Sequence, residues 1–330
     1  FPQEITMNFY QKDFLGKHSQ DILAFYDDIV IDPKGGYFQN FYDNGKLFDQ
    51  GFKQLVSSTR IVVNYALAGL EFDNDKYLAH AKHGLDFIEQ KHWQENSQSY
   101  AWTLRDNQPD DMTQQAYGYA FVLLCYAAVR KAGLIDNDDK LLQLYDLLEQ
   151  RFFQADYGLY ADTINVAGEL STYRGQNANM HLCEAMIAAF EATGLPLFLE
   201  RAKLIAENIC QRQAGLTEGL VWEHFTPEFT IDWDYNRDDP KNLYRPWGFQ
   251  PGHQTEWAKL LLQLNEHAPA DWLVEKAEFL FQQTFDKGWD AKFGGLIYGF
   301  NPQGECCDGD KYFWVQAESF AAAALLYKAT

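Results

Sequence analysis

Basic residues, cysteine and long apolar runs are all scarce in this chain of 330 residues. Lysine and arginine number 27 against 47 aspartates and glutamates, which gives a net charge of −20. A chain with so few cations lacks the basic surface that nucleic-acid phosphates or an anionic membrane require, so we predict neither as a partner. No run of about 18 apolar residues occurs, so no transmembrane helix is predicted.

Cysteine occurs five times, an odd number at irregular spacing that does not indicate a disulfide framework. Cys125, Cys183 and Cys210 lie in apolar helical stretches, where reduced cysteine packs as a small hydrophobe. Pro/Ser-rich linkers and low-complexity tracts are also missing, so we predict one domain over residues 1–330. The composition therefore favours a reduced, cytoplasmic protein.

Apolar residues recur at intervals of three and four along most of the chain, which is the pattern of helices with a buried face. Glycines stand where two helices should end, at Gly133 and Gly194. We predict ten helices, over residues 11–27, 54–70, 76–92, 113–132, 140–153, 177–193, 196–212, 253–264, 271–285 and 312–327.

Loops rich in glycine and aromatic residues separate the helices at a regular spacing. Positions 36, 99, 158, 219 and 295 are equivalent, with steps of 63, 59, 61 and 76 residues. A period of about 60 indicates repeats, each a short hairpin, an inner helix, a turn and an outer helix. Such units could stack as an open solenoid, but we favour an all-α (α/α)6 barrel with short β-hairpin loops at the cavity mouth. Since ten helices leave one pair of that ring missing, we expect the chain to be C-terminally incomplete.

Two of the predicted helices have, near their N-terminal ends, a His one turn before a Glu. The pairs are His181 with Glu184 and His253 with Glu256. Residues three apart share one face of a helix, and a carboxylate beside an imidazole orients the ring and biases its proton affinity. Asn177 adds a third polar group to the first face, which is costly unless these groups bind one another or a ligand. The pattern predicts acid/base chemistry; a polar first turn without chemistry is the alternative.

Three further residues are candidates for the same site. Arg60 begins an apolar run, so it should face a polar cavity or a carboxylate, unless it reaches solvent at the helix edge. Arg245 shortly precedes the second His motif. Glu318 aligns with Glu184 when the apolar tails of their helices are matched, for either a structural or a catalytic role.

His80, His83 and His92 fall off the apolar face of their helix, so we predict solvated surface residues rather than metal ligands. No cluster has zinc-ligand spacing, so we predict no metal site, and no glycine-rich phosphate loop occurs. Three aspartates before the fourth helix, Asp106, Asp110 and Asp111, could supply glycosidase carboxylates, or could cap a helix without any further function.

Residues 174–185, with the sequence R-G-Q-N-A-N-M-H-L-C-E-A, resemble a signature of the N-acylglucosamine 2-epimerase superfamily, as do residues 251–258 and 314–318. The resemblance runs from about Phe14 to the end and is closest in style to the bacterial mannose isomerases and related aldose–ketose isomerases. It implies an (α/α)6 barrel that interconverts sugars at C1 and C2 through a cis-enediolate, without an organic cofactor. It also implies a further essential His beyond the tenth helix, past Thr330.

The resemblance implies roles for individual residues. His253 is a general acid/base held by Glu256, His181 handles the ring oxygen or O1, and Arg60 polarises the carbonyl. The candidates for substrate binding are Asn177, Glu184, Arg245, Trp314, Glu318 and Tyr117.

Our leading hypothesis is a sugar isomerase, monomeric or homodimeric, that interconverts mannose and fructose. The nearest alternative is 2-epimerisation of N-acetylglucosamine and N-acetylmannosamine, for which the sequence identifies no N-acetyl pocket. Two other classes stay open: an (α/α)6 glycoside hydrolase using Asp106 or Asp111 with Glu256, and a non-catalytic module that binds sugar or protein.

Overall fold

The computed structural model of the chain describes residues 8–27 and 29–330. The chain divides into two compact units, Phe1–Met112 and Thr113–Thr330. Within the described ranges it contains ten α-helices, each where the apolar periodicity predicts one. None of these helices is long and apolar enough to cross a membrane. The single-domain assignment stays a prediction.

The first unit combines three helices with five short strands. Strand β4 pairs antiparallel with both β1 and β5, and β2 forms a hairpin with β3. Asn74, between α2 and α3, caps the N-terminus of α3. Its side chain accepts hydrogen bonds from two backbone N–H groups in the first turn of that helix. The elements are α1 (Lys12–Tyr26), β1 (Phe52–Gln54), α2 (Leu55–Glu71), α3 (Asp75–Phe87), β2 (Trp93–Gln94), β3 (Ser99–Tyr100), β4 (Thr103–Arg105) and β5 (Gln108–Asp111).

A π-helical turn after α3 overturns the prediction that His92 is a solvated surface residue. The turn spans Ile88–His92 and has more residues per turn than an α-helix. The side of the helix on which His92 lies can therefore not be read from α-helical spacing. His92 is fully buried, with Nε2 3.0 Å from Ser58 Oγ and Nδ1 3.0 Å from the Ala101 carbonyl. Burial lowers its pKa to about 4, so this ring is a neutral core residue.

The second unit continues the pattern of hairpin, inner helix and outer helix. A second π-helical segment, Glu207–Gln213, extends its second outer helix. All its strand pairs are antiparallel and two or three residues long. The elements are β6 (Gln114–Gln115), α4 (Ala116–Lys131), α5 (Asp139–Arg151), β7 (Phe153–Gln154), β8 (Leu159–Tyr160), β9 (Thr163–Ile164), β10 (Arg174–Gly175), α6 (Gln176–Thr193), α7 (Pro196–Ala206), β11 (His224–Phe225), α8 (Pro251–His267), α9 (Asp271–Gly288), β12 (Gly299–Phe300), β13 (Cys306–Asp308) and α10 (Phe313–Ala329).

The inner helices of this unit, α4, α6, α8 and α10, lie side by side. Helices α8 and α10 run parallel, because Gly252 meets Trp314 at their N-terminal ends while Glu266 pairs with Lys328 at their C-terminal ends. Helices α4, α6 and α8 are largely buried, and α6 and α8 bury polar residues in their first turns. Parallel packing brings those first turns together at one end of the unit.

A repeated amide contact fixes the position of each hairpin on its inner helix. In three repeats, the side-chain amide of the fourth helical residue both donates to and accepts from the backbone of one hairpin residue, at distances between 2.8 and 3.0 Å. The pairs are Asn179 with Tyr160, Gln254 with Val221, and Gln316 with Leu296.

These amide contacts also define the register between repeats. Counted from them, Glu318 is the sixth residue of α10, as His181 and Glu256 are the sixth residues of α6 and α8. The predicted alignment of Glu318 with Glu184 is therefore wrong. It matched the apolar tails of the helices, where runs of alanine and leucine leave the register undefined.

Candidate active site

His181, on α6, contacts two carboxylates and two aromatic rings. Its Nδ1 lies 2.9 Å from Glu184 Oε2, so the first predicted pair is present. Glu256 Oε1 on α8 lies 3.8 Å from the same nitrogen. The rings of Tyr117 and Phe121 have centroids 5.1 and 4.7 Å from that of the imidazole. With Nδ1 donating to a carboxylate, Nε2 is the nitrogen left to exchange a proton.

His253, the third residue of α8, has a different carboxylate partner from the predicted one. Its Nδ1 lies 2.9 and 3.0 Å from the two oxygens of Glu223, so the prediction that Glu256 holds this ring is wrong. Glu256 is one turn further along α8, where it faces α6 instead. Glu223 is itself fixed by Gln176 Nε2 at 3.0 Å, and Gln176 in turn accepts from Trp257 Nε1 at 2.7 Å. This chain of buried contacts holds the ring in one orientation and one tautomer.

Glu223 is absent from the candidates found by sequence, although the repeats contain a signal for it. It follows Gly219 by four residues, just as Asp162 follows Gly158 by four. Both acids are buried, and Asp162 Oδ2 accepts a hydrogen bond from the Gly175 backbone at 2.8 Å. Comparing the hairpins with one another, as well as the helices, would have identified this position.

The charges around His253 set the proton affinity of its ring. For His253, burial favours the neutral ring, but Glu223 and, further away, Glu256 and Glu318 outweigh burial, and the pKa is raised above its ordinary value. Burial also raises the pKa of Glu256, with Glu318 adding to the effect and His181 opposing it. The site therefore contains groups whose pKa values are displaced by burial and by specific charged neighbours, as is common where protons are transferred.

Glu318 and Lys259 form an ion pair between α10 and α8, with Lys259 Nζ 2.5 Å from Glu318 Oε2. The same ammonium lies 3.9 Å from Glu184 Oε1, and its side chain is only 12% exposed. Sequence reasoning missed Lys259, because a lysine within an apolar helical run is ordinarily one whose charged end reaches solvent. Here its charge is directed at carboxylates instead.

Trp314 and Asn177 provide contacts of other kinds. The indole packs on His253, with ring centroids 5.3 Å apart at 36°. This approach needs glycine at position 252, since a Cβ there would lie 2.5 Å from the Trp314 ring. Asn177 Oδ1 is buried and has no hydrogen-bond partner among the described residues, so it remains an acceptor for a bound ligand.

The two predicted arginines differ in their surroundings. Arg245 donates to the Tyr235 hydroxyl at 3.0 Å and stacks on Tyr173, with Cζ 3.8 Å from the ring centroid. It also lies close enough to buried Asp162 to oppose the rise in the pKa of that carboxyl. Arg60 is exposed, as the sixth residue of α2 in the first unit. The roles of both in binding or catalysis stay predictions.

His181, Glu184 and Glu256 offer one nitrogen and two carboxylate oxygens within 4.8 Å of one another, a spacing that a metal ion can use. However, the His181–Glu184 hydrogen bond already engages two of these donors, and Lys259 already places a cation against Glu184. We interpret the group as a network of ion pairs. That the site needs no metal stays a prediction.

Known proteins resemble this chain along most of its length. The family model for N-acylglucosamine 2-epimerase matches residues 36–330. A D-mannose isomerase from Marinomonas mediterranea is 51% identical over 98% of this chain and 82% of its own length. One from Thermobifida fusca is 35% identical over 67% of this chain and 55% of its own length.

Solved structures share the fold of this chain. A crystal structure of a D-mannose isomerase superposes with a TM-score of 0.96, at 51% identity, over 98% of this chain and 83% of that one. A cellobiose 2-epimerase from Spirochaeta thermophila superposes with a TM-score of 0.63, at 15% identity, over 98% of this chain and all of that one. These likenesses confirm the predicted fold class, the all-α (α/α)6 barrel. The chain belongs to the N-acylglucosamine 2-epimerase family.

Proposed function

We propose that this protein is a D-mannose isomerase, which interconverts D-mannose and D-fructose. The observation that carries the proposal is the buried His253–Glu223 pair. It occurs in a chain whose sequence is 51% identical to that of a D-mannose isomerase over 98% of its length. Such a pair supplies what an aldose–ketose isomerase needs, an imidazole held in one tautomer with its second nitrogen available to a substrate proton.

His253 removes the proton from C2 of open-chain mannose through Nε2, which leaves a cis-enediolate. Returning a proton to C1 completes the ketose, so the reaction needs no redox partner and no organic cofactor. Glu223 stabilises the imidazolium that forms during the transfer, because its carboxylate lies 2.9 Å from Nδ1. Trp314 covers one face of the imidazole and limits the directions from which a sugar can approach.

His181 acts on the sugar oxygens, either the ring oxygen during opening or O1. Glu184 holds its Nδ1, and Glu256 lies within ion-pair distance of that nitrogen. The unsatisfied Oδ1 of Asn177, one turn before His181, is suited to accept a hydrogen bond from a sugar hydroxyl. We propose that Arg60 stabilises the negative charge on the enediolate oxygens.

The remaining substrate contacts come from Arg245, Glu318 and Tyr117, which we propose bind the sugar hydroxyls. The substrate is a monosaccharide, and no nucleic acid or membrane takes part. We propose a monomer or homodimer located in the cytoplasm, a setting compatible with the five unbridged cysteines.

Epimerisation at C2 is the second candidate, because the family model carries that activity in its name and a cellobiose 2-epimerase is 22% identical to this chain. It differs from isomerisation only in where the proton returns. The glycoside hydrolase alternative depends on Asp106 and Asp111, which lie at the turn and the end of the β4–β5 hairpin. Likeness to an α-mannanase of 13% identity and TM-score 0.66 shows the fold alone.

Product analysis separates these functions. The protein is incubated in parallel with mannose, N-acetylmannosamine and a manno-oligosaccharide, and the products are resolved by chromatography. We expect fructose from mannose and no reducing sugar released from the oligosaccharide. N-acetylglucosamine as the main product would favour the epimerase, and sugar binding without turnover would favour a binding module. The His253→Ala variant should lose at least 100-fold in kcat with an unchanged circular dichroism spectrum.

A further inference from the structure

Lys259 places an ammonium group among the carboxylates of this site. Its Nζ lies 2.5 Å from Glu318 Oε2 on α10 and 3.9 Å from Glu184 Oε1 on α6. Glu256 stands one turn earlier on the same helix, with His181 3.8 Å from its carboxylate. Lys259 is thus surrounded by acids from three inner helices.

We propose that Lys259 is a positioning residue of the sugar site, which keeps the carboxylate of Glu256 ionised opposite His181 and holds that of Glu318 in place. This inference rests on the proposed isomerase function and adds to it a residue that need not touch the sugar.

The charge balance of the cluster supports this role. The charges of Glu318 and Glu184 repel that of Glu256 and favour its protonated form, because buried like charges relieve repulsion by taking up a proton. One ammonium within ion-pair distance of two of the three acids offsets that tendency. Burial disfavours the ammonium of Lys259, but the three carboxylates outweigh burial and raise its pKa above the ordinary value.

The same contacts exclude a different role for this lysine. A lysine that forms a Schiff base with a sugar carbonyl must present a neutral amine, which burial without a counter-charge provides. Lys259 has its counter-charge on Glu318 and remains an ammonium. It therefore acts through the carboxylates it contacts.

The test compares Lys259→Met with Lys259→Arg and with the control Lys328→Met. Lys328 also joins α10 to α8 through an ion pair, at 2.7 Å from Glu266, but on the exposed surface. The pH dependence of kcat/KM for mannose is measured for each variant. Removing the buried charge should move the acid limb to higher pH by about one unit or more, since a nearby opposite charge shifts a carboxyl pKa by about 1–3 units. Arginine should restore most of the profile, and the control should match the wild type.

A second measurement makes the outcome independent of turnover. Proteins labelled with ¹³C at the glutamate carboxyls are titrated by NMR, with Glu256→Gln used to assign the Glu256 signal. A higher titration midpoint for Glu256 in Lys259→Met than in the wild type supports the proposal. This result does not depend on turnover, so a wild type that is inactive on mannose would reject only the isomerase function. If Lys259→Met does not fold, Lys259→Gln replaces it. An unchanged midpoint, or an acid limb that stays in place while only the melting temperature falls, overturns the proposal.

Discussion

Single side chains determine where protons move in this site, and Glu223 is the most informative of them. Exchanging Glu223 for Gln keeps the size of the side chain but removes the charge that raises the pKa of His253. We expect that pKa to fall and kcat to drop at least about 10-fold, because the ring loses the carboxylate that orients it and stabilises the imidazolium. The measurement is the pH profile of kcat. Its acid limb, which reports deprotonation of the His253 imidazolium, should move to lower pH.

Glu228→Gln is the matched control for this change, since Glu228 lies five residues further along but is exposed. The control should behave like the wild type. A Glu223→Gln variant with full kcat and an unmoved pH profile would show that the carboxylate does not hold a catalytic His253.

Asp162 offers a test of electrostatics outside catalysis. Burial raises its pKa to about 7, against the opposing charge of Arg245. In the unfolded chain this carboxyl releases its proton near pH 4. Between about pH 4 and 7 the folded protein therefore binds a proton that the unfolded chain does not, so the free energy of unfolding falls as pH rises, and is level above that window.

The Asp162→Asn variant removes this pH dependence and can still accept the Gly175 hydrogen bond through its amide oxygen. The stability of this variant relative to the wild type should increase between pH 4.5 and pH 7.5, by at most about 4 kcal/mol in the free energy of unfolding. Melting temperatures of the two proteins at each pH measure the difference. Parallel stability curves for the two proteins would contradict a raised pKa at this carboxyl.

Residues within one helix could be paired from the sequence, and residues from different elements of a repeat could not. His181 and Glu184 share one helix, so their spacing alone predicts the contact that the structure shows. His253 and Glu223 are 30 positions apart, and their contact depends on how a hairpin packs on the next inner helix. Only a comparison of equivalent hairpin positions contains that information.

At the scale of elements, the amide contacts between hairpins and inner helices hold the site residues in register. Gln254 bonds both backbone groups of Val221, two residues before Glu223, so it determines where that acid stands. Gln254→Leu would leave a buried N–H and a buried carbonyl unpaired, at a cost of about 2–4 kcal/mol in the free energy of unfolding. Chemical denaturation would measure this loss, and kcat should fall as well.

Gln263→Leu, further along α8 and half-buried, is the control for the Gln254 variant. It should change the free energy of unfolding by less than about 1 kcal/mol. Equal effects of the two changes would mean that the contact with the hairpin contributes nothing specific.

Helix positions were predictable at this scale because apolar periodicity extends over whole helices. The third predicted helix, residues 76–92, begins within one residue of α3, and the π-helical turn after α3 ends at the same residue as the prediction. What periodicity could not show is the π-helical turn within this range, which depends on local backbone packing. That turn buries His92 and removes it from the surface, where α-helical spacing places it.

At the scale of the whole molecule, repetition explains how one chain builds a polar site inside an apolar fold. Each repeat places the sixth residue of its inner helix at an equivalent point, and in α6, α8 and α10 these residues are His181, Glu256 and Glu318. Parallel inner helices then bring three different polar groups to one level. A period of about 60 residues was visible in the sequence, but the exact register needed the hairpin contacts.

The central claim is that this site moves a proton between C2 and C1 of mannose. Its most direct test is to incubate the protein with mannose in heavy water and to examine the product by NMR. We predict fructose that carries deuterium at C1, because a proton held by an imidazole exchanges with solvent before it is returned. Recovery of mannose with no fructose and no deuterium at C2 would contradict the account.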